Sequence, residues 1–237
     1  MREITGQEDP YKKVKQESND IGLKLYPYLK SQIQQSTDPL LTALAIAGAG
    51  NIIDFGPKLS LDRNGSIENL LKESFAQAMQ SPPNKEQYYA FREKLEASET
   101  VLYLGDNTGE IACDKLLVEE MLKLGKRIDF AVRGKPTIND ATIEDANYVG
   151  LGRLSTIVSN GSDAPGTRLA DCSGEFNDVF KSTDMIISKG QGNFEGLSGA
   201  PGPIFFLLKI KCPVIAQELN ANIGDVVLRD SQMQRRR

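Results

Sequence analysis

The chain has 237 residues, 40% of them hydrophobic and 25% charged, with a formal net charge of -4. That is an ordinary globular composition, large enough for one substantial core with or without a smaller lobe, and its acidity argues against nucleic acid as the main partner. There is no histidine, and the three cysteines, Cys113, Cys172 and Cys212, include no CxxC pair, which excludes Ser-His-Asp and Cys-His catalysis, histidine-ligated metals and closed zinc sites.

The sparse cysteines fit a reducing compartment. The N-terminus has no apolar signal-peptide core, and no apolar run approaches the ~20 residues that span a bilayer. The expectation is a soluble, cytoplasmic protein.

Residues 9–98 read as helical throughout. Asp9-Pro10 opens a helix on which Val14, Ile21, Leu25, Tyr28, Leu29 and Ile33 recur near helical spacing. Asp38-Pro39 opens a second over 40–47, apolar nearly all round and hence buried. Ser66 with Asn69 opens a third to about Met79, and after Pro82-Pro83 Asn84 caps a fourth through Leu95. The pattern changes at Thr100. Residues 101–104 form a strand and 109–124 a helix with Cys113, Leu116, Leu117, Met121 and Leu124 on one face, closed by Gly125. Residues 128–132 complete a βαβ unit. Further strands are expected at 155–159 and 185–188, with helical pieces near 143–147 and 176–180 and a last apolar stretch at 204–210. The polar tail beyond Leu228 is expected to fray. Alternating elements imply a parallel sheet covered on both faces, so the expected division is an α-helical lobe over 1–98 and an α/β core over 99–237.

Polar clusters follow the strands. Gly105-Asp106-Asn107 follows the first, 133–140 (RGKPTIND) the second, 160–167 (NGSDAPGT) the third and 189–195 (KGQGNFE) the fourth. In a parallel sheet these ends share one edge, where open α/β sheets bind ligands. Asp106, Asn107 and Asp140 offer hard oxygens to a divalent cation of the Mg²⁺ or Mn²⁺ class. Lys189, Lys211 or Arg133 would offset the charge of a phosphate, and the glycine turns offer backbone N–H groups. Each feature also has a plain structural role open to it. Asp106 or Asn107 could cap the helix behind Gly109, and Asp140 the one at Ile143. Arg133 and Lys135 could be solvated loop charges, Gly190–Gly192 a simple turn, and Lys211 a charge guarding an edge strand. Asn51 and Asp54 could merely end a buried helix, and Cys113 and Cys212 be small core residues.

The motifs GDNTGE (105–110), RGKPTINDAT (133–142), SNGSDAPGT (159–167), SKGQGNFE (188–195) and LKIKCPVIA (208–216) together resemble the damage-control phosphatase family, long known as domain of unknown function 89. The likeness is closest to its archaeal and bacterial type and extends through EITGQEDPY (3–11) and GNIIDFG (50–56). Members of that type usually begin with a further helical segment carrying a CxxC, and this sequence opens directly before EITGQEDPY. The resemblance implies a Rossmann-like α/β/α core with a mostly parallel sheet and an α-helical lobe. It also implies a divalent-metal-dependent phosphatase (Mn, Ni, Co or Mg) acting on small phosphorylated metabolites, with no nucleic-acid or membrane partner. By motif it makes Asp106, Asn107 and Asp140 the metal ligands and turns Lys189, Gln191, Asn193 and Lys211 toward phosphate or substrate. Glu110 belongs to the first motif without a defined step, and Asn51 lies where the helical lobe would cover the site. Two rival readings are a non-catalytic metabolite- or nucleotide-binding module, which strand-end glycine turns alone also allow, and a methyltransferase, for which no acidic adenosine-binding residue is evident.

Overall fold

The computed structural model describes residue 6, residues 8–55 and residues 66–232. The start of the 3–11 motif, Gly56, the side chains of Asp54 and Ser66, and the arginines at 235–237 lie outside the described residues.

Among the described residues four helices come first: α1 (Lys12–Gln35), α2 (Pro39–Ala49), α3 (Ser66–Gln80) and α4 (Lys85–Ala97), with a 3-10 turn, Gly50–Phe55, after α2. Their starts follow the sequence. Asp38 accepts from the N–H of Leu41 with Pro39 in the first turn, and Asn84 accepts from the N–H groups of Glu86 and Gln87, each satisfying donors the helix leaves open. The α/β part then runs β1 (Thr100–Leu104), α5 (Glu110–Lys123), β2 (Arg127–Val132), α6 (Ile143–Tyr148), β3 (Thr156–Ser159), α7 (Gly174–Ser182), β4 (Met185–Lys189), α8 (Gln191–Leu197), β5 (Ile204–Lys209), α9 (Pro213–Leu219) and β6 (Val226–Asp230).

The sheet order is β3-β2-β1-β4-β5-β6, the first five parallel and β6 antiparallel to β5. This is the expected Rossmann-like α/β/α arrangement. The order reverses between β1 and β4, and at such a switch point the outgoing connections part and leave a crevice. Beyond the apolar stretch at 204–210, Val214-Ile215-Ala216 belongs to a helix, α9, with Pro213 in its first turn, and one expectation at the C-terminal end is corrected. The tail from Leu228 is not frayed through Asp230, because Leu228 pairs with Leu207 and Asp230 with Phe205. β5 is therefore an inner strand, and Lys211 guards no edge.

Strand alternation divides the core. Val101 and Tyr103 of β1, Met185 and Ile187 of β4, and Phe205 and Leu207 of β5 face α1–α5. Leu102 and Leu104, Ile186, and Phe206 and Leu208 face α7–α9. Both faces are dry, which is why the strands read as unbroken apolar runs. Among the described residues the helices of the 1–98 segment share a core with the sheet: Leu25, Leu29, Leu44 and Phe91 join the cluster that holds Val101 and Tyr103. The change of pattern at Thr100 marks a change of layer within one core. On α5, Cys113, Leu116, Leu117 and Met121 are buried as expected, but Leu124 caps the helix and is exposed.

The contact that seats α1 on α5 is close. A Cβ at Gly22 would stand 2.6 Å from the carbonyl oxygen of Gly109 and 2.8 Å from Cβ of Ala112. Helix propensity favours Gly22→Ala by about 1 kcal/mol, whereas overpacking costs about 1–3 kcal/mol. Gly22→Ala is expected to lower the urea midpoint, against its propensity, because the two helices are forced apart.

Candidate functional site

The crevice between β1 and β4 is built by backbone first. The loop after β1 pairs with the loop after β2: Asn107 and Asp140 form an antiparallel bridge, the N–H of Ala141 donates to the carbonyl of Asp106 at 2.9 Å, and the N–H of Thr108 donates to the carbonyl of Asn139 at 2.9 Å. This pairing sets residues 106, 107 and 140 side by side although they are distant in sequence.

The capping alternatives are absent. Gly109, with φ 75°, begins α5 without a side-chain cap of its own, and its N–H is taken by Oδ1 of Asn19 on α1, 2.8 Å away. α6 is capped by Thr142 and Asp145 as a reciprocal box. The side chains of Asp106 and Asp140 are thus free of helix ends. Asp106 lies over Gly190, where a Cβ would meet its Oδ2 at 1.9 Å. With φ 80°, position 190 needs glycine for space and for backbone freedom alike.

All four polar clusters converge, as the parallel sheet requires, and two residues tie them. Arg133, buried, donates through Nε to Asp140 Oδ2 at 2.6 Å, through one terminal nitrogen to Thr167 Oγ1 at 3.0 Å and through the other to Asn193 Oδ1 at 3.0 Å. Asn193 donates from Nδ2 to the carbonyl oxygens of Gly105, 3.2 Å, and Lys189, 2.7 Å. Arg133 is therefore no solvated loop charge, and Arg133 and Asn193, expected to face substrate, spend their hydrogen bonds holding the loops. Asn160, from the third cluster, accepts from the N–H groups of Gly134 and Ser162 at 3.0 Å each and joins the β3 loop to the β2 loop.

Lys189 also differs from its expected role. Strand period carries Met185, Ile187 and Lys189 to the same side, so Lys189 enters the core under α5 with no exposure. Its ammonium donates to the carbonyl of Ala47 at 2.8 Å, to Glu110 Oε1 at 2.6 Å and to Asp114 Oδ1 at 2.5 Å. Three donors thus meet three acceptors, and none is left for a phosphate. Tyr103 donates to the same oxygen of Asp114 at 2.8 Å, while Asp114 Oδ2 is buried without a hydrogen-bond partner. Glu110 also accepts from Nδ2 of Asn51 at 3.4 Å. Gln191 is half-exposed and donates to Glu195 at 2.9 Å. Lys211 is exposed, and its charge is felt at Asp106.

The electrostatics are lopsided. Asp106, Glu110, Asp114 and Asp140 are all buried, against the two buried cations Arg133 and Lys189. Lys15, on α1, is engaged by Asp145 at 2.8 Å and Asp9 at 3.2 Å. Burial first, then Glu110 and Asp140, pushes Asp106 well above the usual carboxylate range, with Arg133 and Lys211 opposing. Asp140 is raised by burial against the pull of Arg133. Burial raises Asp114 to about 7, offset in part by Lys189. Burial also opposes the charge on Lys189, but Asp114 and Glu110 outweigh it and hold the ammonium above the usual lysine range. A corner with two more carboxylates than cations suits a divalent cation. The donor set of Asp106, Asn107 and Asp140 is all oxygen and fits a hard ion. Among the described residues no three His, Cys, Asp or Glu side chains form a metal-binding group, so a cation here needs the carboxamide of Asn107 beside the two carboxylates.

Sequence reasoning missed Asn19, Asp114, Tyr103 and Thr167. Asp114 carried a signal, since it stands four residues after Glu110 on the inward face of α5. Thr167 lay within the 160–167 cluster without a role of its own, its partner being 26 positions away, and Asn19 carried no signal, because its partner lies 90 positions away.

The model of the damage-control phosphatase ARMT1-like domain matches residues 1–227. A damage-control phosphatase of Archaeoglobus fulgidus is 34% identical over 227 residues, covering 95% of this chain and 77% of that protein. The damage-control phosphatase PH1575 of Pyrococcus horikoshii is 35% identical over 230 residues, 96% of this chain and 76% of its own. The crystal structure of a DUF89 family protein from Pyrococcus horikoshii superposes with a TM-score of 0.84 at 32% identity, covering 97% of this chain and 78% of that one.

Two outcomes follow from the buried charges. Lys189→Met strands Glu110 and Asp114, and removing one partner of a buried ion pair costs about 3–5 kcal/mol; Lys189→Met with Asp114→Asn is expected to recover part of that loss in urea melts. The pH dependence runs the other way from a surface ion pair. Asp114 titrates higher in the folded chain, about 7, than in the unfolded one. Its contribution is complete below the ordinary carboxylate range and is lost as pH rises toward and through 7. Metal-free protein is expected to be less stable at about pH 8 than at about pH 6 by roughly 1 kcal/mol, read from urea midpoints.

Proposed function

The chain belongs to the damage-control phosphatase ARMT1-like family, and from that membership we propose that it is a divalent-metal-dependent phosphatase. Its substrates are phosphate monoesters of small metabolites, sugar phosphates or damaged phosphometabolites. The metal is held by Asp106, Asn107 and Asp140. The observation that carries this reading is that the two aspartates are buried, uncommitted to helix ends and brought together at the sheet's switch point by paired loops, Asn107 bridging Asp140 and Ala141 donating to Asp106. No described helix is long and apolar enough to cross a membrane.

A bound divalent cation supplies a Lewis acid to a phosphoryl oxygen and to water. The chain's own residues set the stage for it. Arg133 fixes the Asp140 carboxylate through its 2.6 Å bond and is itself held in place by Thr167 and Asn193. Lys189 pairs with Glu110 from behind, and Glu110 adds to the negative field at Asp106. That field strengthens attraction for a cation and repels an anionic substrate until the cation is present. Lys211, exposed and electrostatically linked to Asp106, is the side chain available to meet the phosphate.

Asp106→Asn separates function from folding. It keeps the shape and the bond from Asn107, 3.1 Å in length, but removes a buried charge. Hydrolysis of p-nitrophenyl phosphate with Mn²⁺, Co²⁺, Ni²⁺ or Mg²⁺ is expected to fall by a factor of about 100 or more. The metal-free variant is expected to be more stable than the parent by on the order of 1 kcal/mol, and the stabilisation that added cation gives the parent should be absent. Full activity in Asp106→Asn would remove Asp106 from the metal site, and parental activity undiminished by a chelator would remove the metal from the reaction.

A further inference from the structure

Lys211 accounts for one cation at the carboxyl edge of the sheet and leaves another unexplained. Lys209, the last residue of β5, is half-buried. Among the described residues its ammonium, like that of Lys211, has neither a hydrogen-bond acceptor nor an ion-pair partner. A lysine drawn out of water without a counter-ion is costly. Burial and then the neighbouring Lys211 weaken its hold on the proton.

Its position follows from the strand. Phe205 and Leu207 enter the core beneath the N-terminal helices, and Lys209 continues on that side past their cover. There it lines an open cavity of about 640 Å³, together with Ala49 at the end of α2, Ile52 after it, and Ser74, Gln77 and Ser81 along and just beyond α3. Asp225 also lines it, but its carboxylate is turned to Asn222, accepting from the backbone N–H at 2.8 Å and from Nδ2 at 3.3 Å. The cavity adjoins the site already described. Ala49 and Ile52 flank Gly50 and Asn51; Asn51 bonds Glu110, and a Cβ at Gly50 would stand 2.9 Å from Cγ of Glu110. Lys211, two residues beyond Lys209, acts on both ends, felt at Asp106 and at Lys209. One unpaired cation, Lys209, therefore lines a cavity of metabolite size with serine and glutamine in its walls, and a second, Lys211, is felt both there and at Asp106.

We propose that this cavity is a second anion subsite, with Lys209 as its charge, so that preferred substrates carry a second anionic group, phosphate or carboxylate, apart from the phosphate that is removed. The proposal rests on the phosphatase reading and adds a substrate class to it. One anion meets the cation-bearing corner while the other meets Lys209, with Gln77 and Ser81 as neutral partners. A monoester without the second anion leaves Lys209 uncompensated and is the poorer substrate.

The test compares kcat/KM within matched pairs: fructose 1,6-bisphosphate against fructose 6-phosphate, and 3-phosphoglycerate against glycerol 3-phosphate. The first pair reads a phosphate in the subsite and the second a carboxylate. The parent is expected to prefer the member with two anionic groups in at least one pair by roughly tenfold. Lys209→Gln should erase that preference and Lys209→Arg retain it. Gln77→Glu, an exposed helix substitution that sets a like charge against the second anion, should reduce it without touching the core. Hydrolysis of all four compounds with no preference in the parent, or equal losses on both members in Lys209→Gln, overturns the subsite and leaves the phosphatase reading standing. If none of the four is hydrolysed with any metal, the phosphatase reading fails first, and calorimetric titration of fructose 1,6-bisphosphate decides the subsite: binding weakened in Lys209→Gln sustains it, whereas equal or absent binding overturns it.

Discussion

Beneath the carboxyl edge of the sheet, the ammonium group of Lys189 meets a helix-end carbonyl and two carboxylates with no water between them. It joins β4 to α2 and to α5 in one place. In a low-dielectric interior those bonds are strong when made and very costly when broken, so the three elements cannot slide past one another. Because Glu110 and Asp114 both belong to the first half of α5, the same contact fixes the start of that helix. Everything just before it, Gly109 and the Asp106-Asn107 pair, inherits the position.

A second web does for the loops what Lys189 does for the helices. Arg133 and Asn193 together reach all four strand-end clusters. Such a planar, always charged group with several fixed donors suits a junction of loops better than a lysine would. The two webs lie on either side of the candidate metal corner and still leave it with an excess of negative charge. Burying like charges lowers stability, and the chain tolerates this where sheet topology opens a crevice. A fold selected for stability alone would have filled that corner with apolar side chains, as it did everywhere else along β1.

Much of the fold was legible in the sequence because each signal was local. Asp38-Pro39 and Asn84 marked helix starts through hydrogen bonds within three residues, and the apolar runs of β1, β4 and β5 showed strands covered on both sides. β6 escaped because Val226-Val227-Leu228 is short and flanked by charges, and only its pairing with β5 makes it a strand. The helices of 1–98 looked like a separate lobe because a periodicity change shows where element type switches, while sharing of a core is a matter of contacts distant in sequence. The candidate site was legible as a set of residue types: the clusters after four parallel strands had to meet, and they do. The roles within it were less so. Lys189 and Arg133 resembled phosphate-binding cations because charge is visible in a sequence and burial is not. The parity of β4 could have warned that Lys189 shares a face with Met185 and Ile187.

The sequence alone determined most of the elements, that the first five strands lie parallel, and that oxygen and nitrogen chemistry without histidine gathers at one edge. These properties depend on residue type and on spacing of a few positions. Only the tertiary structure decided which charges face outward and which serve as internal counter-ions, that Asn19 rather than Asp106 satisfies the start of α5, and that Lys209 opens into a cavity. Those outcomes depend on what stands within a few ångströms across the chain, and partners 79 or 90 positions apart are set by packing rather than by any local pattern.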